Sequence, residues 1–291
     1  MKSITVFTPT YNRAYCLHQV YDSLCRQTSK DFKWLLIDDG STDHTKQLIQ
    51  TWINLGEIEI QYHNKTNGGM HTGHNAAYKL IETPFNVCID SDDFLTDNAI
   101  EIIQKHTQNL APNFAGIIGL DADKLGNIIG TKMPDNLNQT KLNELYQIYK
   151  VKGDKKLVYR TEVVKKYPPY PEYPEERFVP LDYLPLLIDQ EYDLKPINEI
   201  LCIVEYQKDG SSLNIIKQYR KNPKGFAFSR ISRIQYGLTF KERFKNAIHL
   251  VSCVFFSKEF DKIWKTNHNL LVFFSIPWGI VLNLYIRFKT L

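Results

Sequence analysis

Three times in the first hundred residues a short apolar or β-branched run breaks off into a polar turn. Ser3–Thr8 leads into Pro9-Thr10-Tyr11-Asn12-Arg13, Trp34–Ile37 into Asp38-Asp39-Gly40-Ser41-Thr42-Asp43, and Val87–Ile89 into Asp90-Ser91-Asp92-Asp93. The first two turns open helical patterns, to about Gln27 and about Leu55, with Ser41 or Thr42 placed as the second helix's N-cap. Between the second and third, Ile58–Tyr62 alternates as a further strand, and Asn67-Gly68-Gly69-Met70-His71 precedes a helix ending near Ile81. Strands alternating with helices at this spacing predict an α/β fold with a parallel, doubly wound sheet. In such sheets ligands sit beyond the carboxyl ends of the strands. The loops Thr8–Arg13, Asp38–Asp43 and Asp90–Asp93 therefore converge on one pocket.

The last of these turns is chemically the most demanding, with three carboxylates in four residues directly after a buried strand. Carboxylates this close raise one another's pKa and repel, so a fold that gathers them there has a cation or polyol to hold. Asp-x-Asp is a hard-oxygen site suited to Mn2+ or Mg2+, metals that keep waters and complete their shell with diphosphate oxygens. Read singly, each motif also fits an ordinary turn or helix cap. His71 and His74, three apart and without a nearby third ligand, read as helix-start donors near phosphates rather than as a zinc site.

The ordered set Thr-Pro-Thr-Tyr-Asn-Arg, Ile-Asp-Asp-Gly-Ser-Thr-Asp, Asn-Gly-Gly with Asn75, and Ile-Asp-Ser-Asp-Asp resembles the family 2 glycosyltransferases. The resemblance implies a GT-A fold, a Rossmann-like mostly parallel sheet with flanking helices, and an inverting transfer from a nucleotide-diphosphate sugar, a UDP-sugar being the leading candidate. By position it implies a donor site of Thr8, Pro9, Tyr11, Arg13, Asp38, Asp39, Gly69, His71, Asn75, Asp90 and Ser91. Within it Thr8 and Tyr11 line the base pocket, and Asp39, with Asp38 behind it, bonds the base or ribose. Asp92 falls on the metal ligand, with Asp90 and Asp93 as further candidates. Many family members have an Arg before the Asn at 75, where this chain has Gly73-His74.

In the second half, Ala115–Leu120 and Asn127–Gly130 read as two strands joined by a turn, Leu157–Arg160 as another with Thr161 capping a brief helix, and Tyr167–Pro174 as loop. A helix then runs from about Leu181 to Gln190. The family carries Glu-Asp at this helix start, its Asp serving as general base; here the pair is Leu181-Asp182. Asp182 is thus the expected base, with Glu176 in reserve. Tyr192–Leu194 and Ile200–Glu205 read as strands, and Tyr206–Ser212 resembles by position a flap over the donor phosphates.

Charge divides the chain: residues 1–215 carry 22 Lys+Arg against 29 Asp+Glu, whereas residues 216–291 carry 14 against 3. We expect a catalytic domain over 1–215, with a nucleotide-sugar half (1–110) and an acceptor and base half (111–215), and a basic helical, membrane-facing region over 216–291. Phe240, Phe244, Ile248, Val251 and Phe255 share a helical face, and basic residues interleaved with aromatics predict an interfacial helix on an anionic membrane, with Arg230, Arg233, Lys241 and Arg243 as lipid-contacting candidates. Leu270–Ile286 is apolar but broken by Ser275, Pro277, Gly279 and Asn283, and is shorter than the ~20 residues that span a bilayer. The alternative is a helical lid on the catalytic domain. An acidic body without a recognition motif excludes nucleic acid as the favoured partner. The start of the chain has no signal-peptide pattern, and the five cysteines are scattered without Cys-x-x-Cys spacing, which predicts reduced thiols and a cytoplasmic protein at the inner face of the cell membrane. The expected activity is hexosyl transfer to a glycan, lipid-linked by preference, in surface polysaccharide biosynthesis. A nucleotidyltransferase and a non-catalytic sugar-nucleotide-binding or membrane scaffold are the rivals.

Overall fold

The computed structural model describes residues 2–205 and 214–290, so the flap-like stretch Tyr206–Ser212 lies outside the described residues. The chain divides into two compact units, Met1–Pro168 with Ile188–Tyr206, and Pro169–Leu187 with Gln207–Leu291.

The first unit is built on an eight-stranded sheet. Its strands are β1 (Ile4–Thr10), β2 (Phe32–Asp38), β3 (Ile60–Asn64), β4 (Phe85–Cys88), β5 (Phe94–Leu95), β6 (Phe114–Ala122), β7 (Lys155–Arg160) and β8 (Asp193–Ile203), in the order β3-β2-β1-β4-β7-β6-β8-β5. The first four strands are mutually parallel, as the alternating pattern requires. At β7 the sheet turns antiparallel, on both the β4 and the β6 side, while β8 runs parallel to β6. Both faces of β1 and β2 are buried. Ile4, Val6, Trp34 and Leu36 point into one core, and Phe7, Leu35 and Ile37 into another. That explains the continuous apolar runs in place of an in-out alternation. Residues of α1 (His18–Cys25), α2 (Thr45–Leu55) and α4 (Ala99–Thr107) fill the first core, and Ala77 of α3 (Met70–Leu80) joins the second.

Three local expectations are corrected. Asn127–Gly130 is not a strand. Among the described residues its one ladder contact is an isolated bridge between Ala122 and Ile128, because Asp123 ties the turn tightly by accepting the Leu125 and Asn127 amides. Tyr192–Leu194 and Ile200–Glu205 are not separate strands either. Asp193, Leu194 and Ile200–Ile203 belong to β8, whose register against β6 shifts repeatedly around Pro196 and so hides the continuity, while Tyr192, Val204 and Glu205 lie outside it. The cap of α2 is also displaced: Asp43 Oδ1 accepts the Thr45 amide at 3.0 Å, whereas the Ser41 hydroxyl accepts from Asn12. Two short helices, α5 (Leu142–Gln147) and α6 (Thr161–Val164), complete this unit. The unit boundary falls inside α7 (Tyr183–Glu191).

The second unit contains α8 (Ile215–Lys221), α9 (Pro223–Tyr236), α10 (Phe240–Ser257) and α11 (Asn269–Lys289). Phe226, Ala227 and Ile234 of α9, Ala247, Leu250, Val251 and Val254 of α10, and Val272 of α11 form its core. A sharp break separates α9 from α10. Thr239 caps α10 by accepting the Glu242 amide, and Glu242 reaches back to the Leu238 amide, a variant of the capping box. Of the four basic residues expected to meet lipid, only Lys241 is exposed. Arg230 bonds Asn246 and the Tyr219 hydroxyl, Arg233 pairs with Asp182, and Arg243 donates to the Gly237 carbonyl. Their charge works inside the helical unit.

His249 on α10 lies against the Tyr219 ring at 5.3 Å, and burial together with Arg230 and Lys245 pushes its pKa down to about 3. The folded state thus binds fewer protons than the unfolded one, whose histidine titrates at its ordinary value near 6.5. The stabilising contribution is complete above that value and is lost progressively as pH falls toward 3. We expect His249→Phe to keep the ring contact and to remove about 2 kcal/mol of the stability that wild type loses between pH 7 and pH 5, measured by urea denaturation at the two pH values.

Candidate active site

The carboxyl ends of β1, β2, β3 and β4 feed four loops that are stitched to one another. Asn12, at φ +53°, places its side-chain carbonyl to accept the Thr42 amide at 2.8 Å, while its own amide donates to Ser41 Oγ. Asp43 reaches back to the Ala14 amide. The second loop is joined to the third through Asp39, whose carboxylate accepts the amides of Gly68 (2.9 Å) and Gly69 (2.7 Å) and the Lys65 ammonium (2.5 Å). Gly40, at φ +78°, lies so close to Asn67 that a Cβ would sit 3.0 Å from its amide nitrogen, so only glycine fits without strain. The first loop meets the acidic one through the Cys16 thiol and the Ser91 carbonyl. The convergence inferred from spacing is thus realised inside one unit.

The acidic loop sorts its three carboxylates by environment. Asp90 is exposed, Asp92 half-buried and Asp93 buried. Asp93 faces inward, accepting the Glu205 amide at 3.2 Å with the Lys156 ammonium 3.9 Å away. Burial, reinforced by Asp90 and Asp92 and opposed by Lys156, pushes Asp93 up to about 7. Lys156, on β7, lies also 4.0 Å from Asp121 of β6, whose carboxyl is raised by burial. Although burial disfavours the charge on Lys156, Asp121 and its other neighbours hold its pKa above the ordinary lysine value. This built-in cation was not singled out in the sequence. Its only signal there is a Lys-Lys pair entering an apolar strand, which fits an edge residue equally well.

Asp93 is turned toward Lys156 and a backbone amide, whereas Asp90 is exposed and Asp92 half-buried at the carboxyl end of β4. Among the described residues no three His, Cys, Asp or Glu side chains come together as a self-sufficient metal cage. Two hard carboxylates at an open sheet edge nevertheless fit Mn2+ or Mg2+, which fill their remaining positions with water and phosphate oxygen.

The other expected donor residues fall into two groups. Tyr11 is about half exposed and Pro9, Arg13 and Gly69 are partly exposed, so these can line a ligand site. Thr8, Asp38, Asp39, His71, Asn75 and Ser91 are buried. Thr8 accepts from the Trp34 indole at 3.0 Å, and Asp38 accepts the Ser41 amide and the Tyr62 hydroxyl. Thr8 and Asp38 thus shape the loops from below. The departure at Gly73-His74 also has a physical reason. A Cβ at Gly73 would come within 3.0 Å of the Pro9 ring, and His74 packs edge-on to Phe7 with its pKa pushed down to about 3 by burial. Here these two positions pack β1 against α3.

In the second unit, Asp182 accepts the Ser229 hydroxyl on both oxygens and the Arg233 guanidinium on Oδ2. Glu176 is buried and accepts the Lys224 and Gly225 amides at 2.8 Å each, which makes it a cap for the first turn of α9.

A sheet of this order, parallel where its loops gather glycines and carboxylates and antiparallel beyond, with an Asp-x-Asp at the end of a central strand, defines a GT-A glycosyltransferase fold. The sequence agrees: residues 5–167 match the profile of glycosyl transferase family 2, and the chain belongs to that family. Among its relatives is poly(ribitol-phosphate) beta-N-acetylglucosaminyltransferase TarS of Staphylococcus aureus, 29% identical over 126 residues, a stretch that covers 41% of this chain but only 22% of that protein. The TarS 1–349 crystal structure in complex with UDP-GlcNAc is similar in fold, with a TM-score of 0.67 and 17% identity over 98% of this chain and 90% of that one. The mannosyltransferase PcManGT of Pyrobaculum calidifontis, solved with GDP-Man and Mn2+, gives a TM-score of 0.57 at 14% identity, covering 97% of this chain and 87% of that one.

Proposed function

We propose that the protein transfers a hexose-type sugar, with inversion, from a UDP-sugar to a glycan acceptor that is lipid-linked, at the inner face of the cell membrane and in the service of surface polysaccharide biosynthesis. The observation that carries this reading is the placement of an exposed Asp90 and a half-buried Asp92 among loops stitched together by Asn12 and Asp39. Tyr11 and Arg13 flank the base and phosphates, and Asp39 lies at the base or ribose. A divalent metal held by Asp92, with Asp90 beside it, would supply charge compensation for the departing diphosphate.

Asp182 takes the proton from an acceptor hydroxyl, and the resulting oxygen forms its bond to the anomeric carbon as the bond to the diphosphate oxygen breaks. The pair of electrons leaves with the diphosphate, and the configuration inverts. Ser229 and Arg233 fix the Asp182 carboxylate in one orientation, so little reorganisation is needed at the moment of proton transfer. The basic 216–291 region attaches the enzyme peripherally to anionic lipid, where a lipid-linked acceptor is presented.

The donor is tested with a panel of nucleotide sugars in a thermal-shift assay with Mn2+, Mg2+ or chelator. A donor at ~100 times its Kd stabilises by about 2.7 kcal/mol. We expect UDP-sugars, UDP-GlcNAc first, to stabilise wild type only with metal, and Asp92→Asn to abolish the shift. Stabilisation that survives chelator and Asp92→Asn alike would remove the metal–diphosphate reading.

A further inference from the structure

Ser275, Gly279 and Asn283 read as breaks in the apolar C-terminal run, yet all three lie on one buried stripe of α11, with Val272 and Ile286. They are the seam on which α11 packs against α10. A Cβ at Gly279 would come within 2.4 Å of Val251 Cβ, and the Asn283 amide donates to the Ser252 carbonyl at 3.0 Å. The seam is narrow. Leu270, Phe274, Trp278, Val281, Leu284 and Phe288, all on α11, are each more than 60% exposed. The helix has 21 residues, about 32 Å of length, and is the one described helix long and apolar enough to cross a bilayer. An apolar face of that extent on a soluble surface marks an interaction site.

Building on the membrane attachment proposed above, we infer that the outward face of α11 is the element that enters the bilayer interface, and that its occupant is anionic lipid. No acidic residue follows Asp261, while Arg287 and Lys289 close the helix exposed. Trp278 and Tyr285 on the same helix are residue types at home where apolar chains meet head groups. A second copy of the chain is the weaker match. Face-to-face α11 helices have no acidic group to offer the partner's Arg287 and Lys289 in either orientation. Crossing is also disfavoured. α11 is fastened along its seam to α10, which carries Lys241, Glu242, Arg243 and Lys245, and burying these in hydrocarbon costs far more than leaving them wet. The helix therefore lies in the interface plane, with the seam toward the protein and the aromatic arc toward lipid.

The full chain, with Trp278→Glu alone, Phe274→Glu with Val281→Glu, and a Lys241→Glu/Lys245→Glu control, is sedimented with vesicles of phosphatidylglycerol and phosphatidylcholine and with phosphatidylcholine alone. Wild type is expected to partition to the anionic vesicles at low salt. The α11 variants are expected to lose at least about tenfold in partition, since each places a charge where apolar area was buried, with circular dichroism and nucleotide-sugar binding unchanged. If wild type binds and the α11 variants bind equally, while the Lys control alone is lost, α11 is not the insertion face, although membrane attachment stands. If wild type does not bind and light scattering shows a dimer that the α11 variants dissociate, the face joins two copies, and both readings fall. Retention of wild type through carbonate washing would make α11 a spanning helix and overturn the in-plane assignment.

Discussion

Replacing Asp182 by Asn is expected to lower turnover by roughly 10²–10⁴-fold while the affinity for the nucleotide sugar stays close to that of wild type. The amide keeps the size of the carboxylate and can still accept the Ser229 hydroxyl, but it cannot take a proton from the acceptor. The loss therefore falls on kcat rather than on donor binding. Glu176→Gln is the matched control. Its carboxylate caps α9 through two backbone amides, so its replacement is expected to weaken the helix by about 1 kcal/mol and to leave kcat nearly intact. A larger kcat loss in Glu176→Gln than in Asp182→Asn would transfer the base to Glu176 and undo the alignment at Leu181-Asp182.

The second large effect is on stability. Lys156→Met is expected to destabilise the protein by about 3–5 kcal/mol, because it removes the ammonium nearest to the buried carboxyl groups of Asp93 and Asp121. Met nearly preserves the side-chain volume, so a packing defect is not the cause. Restoring balance from the other side is the diagnostic: Asp121→Asn in the Lys156→Met background should recover part of the loss in urea denaturation. If Lys156→Met alone is as stable as wild type, the buried cation is not what holds the acidic loop.

The parallel half of the sheet was legible because burial on both faces leaves unmistakable apolar runs, and because each run ends in a turn whose Asp, Asn and Gly residues have few other uses. The pocket's loops were legible for the same reason. What spacing could not give was the direction of each side chain. Asp38 and Asp39 are adjacent in sequence; one is held by Tyr62 and Ser41, the other by Lys65 and the Gly68–Gly69 amides, and these partners are set by tertiary pairing. Lys156 was invisible because a buried lysine and an edge lysine look alike in a strand. β8 was split because Lys195-Pro196 and Asn198-Glu199 interrupt its apolar pattern where bulges absorb the irregularity. In the helical region, the tally of basic residues suggested a lipid-facing surface on α9 and α10, whereas Arg230 and Arg233 are consumed by Asn246, Tyr219 and Asp182. The exposed apolar face is on α11, where the small residues that looked like interruptions form the packed seam. Gly237 followed by Thr239 and Glu242 was the available sign that two helices, rather than one, occupy 223–257.

The proposed role of Asp92 is to work with a divalent metal on a nucleotide-diphosphate sugar. It is tested most directly by following UDP release from UDP-GlcNAc, and from the other UDP-sugars that stabilise the protein, with Mn2+ and with chelator, in wild type and Asp92→Asn. Release is expected to need Mn2+ and to disappear in Asp92→Asn while the variant's denaturation curve stays that of wild type. Release that persists in chelator, or an Asp92→Asn enzyme as active as wild type, would contradict it.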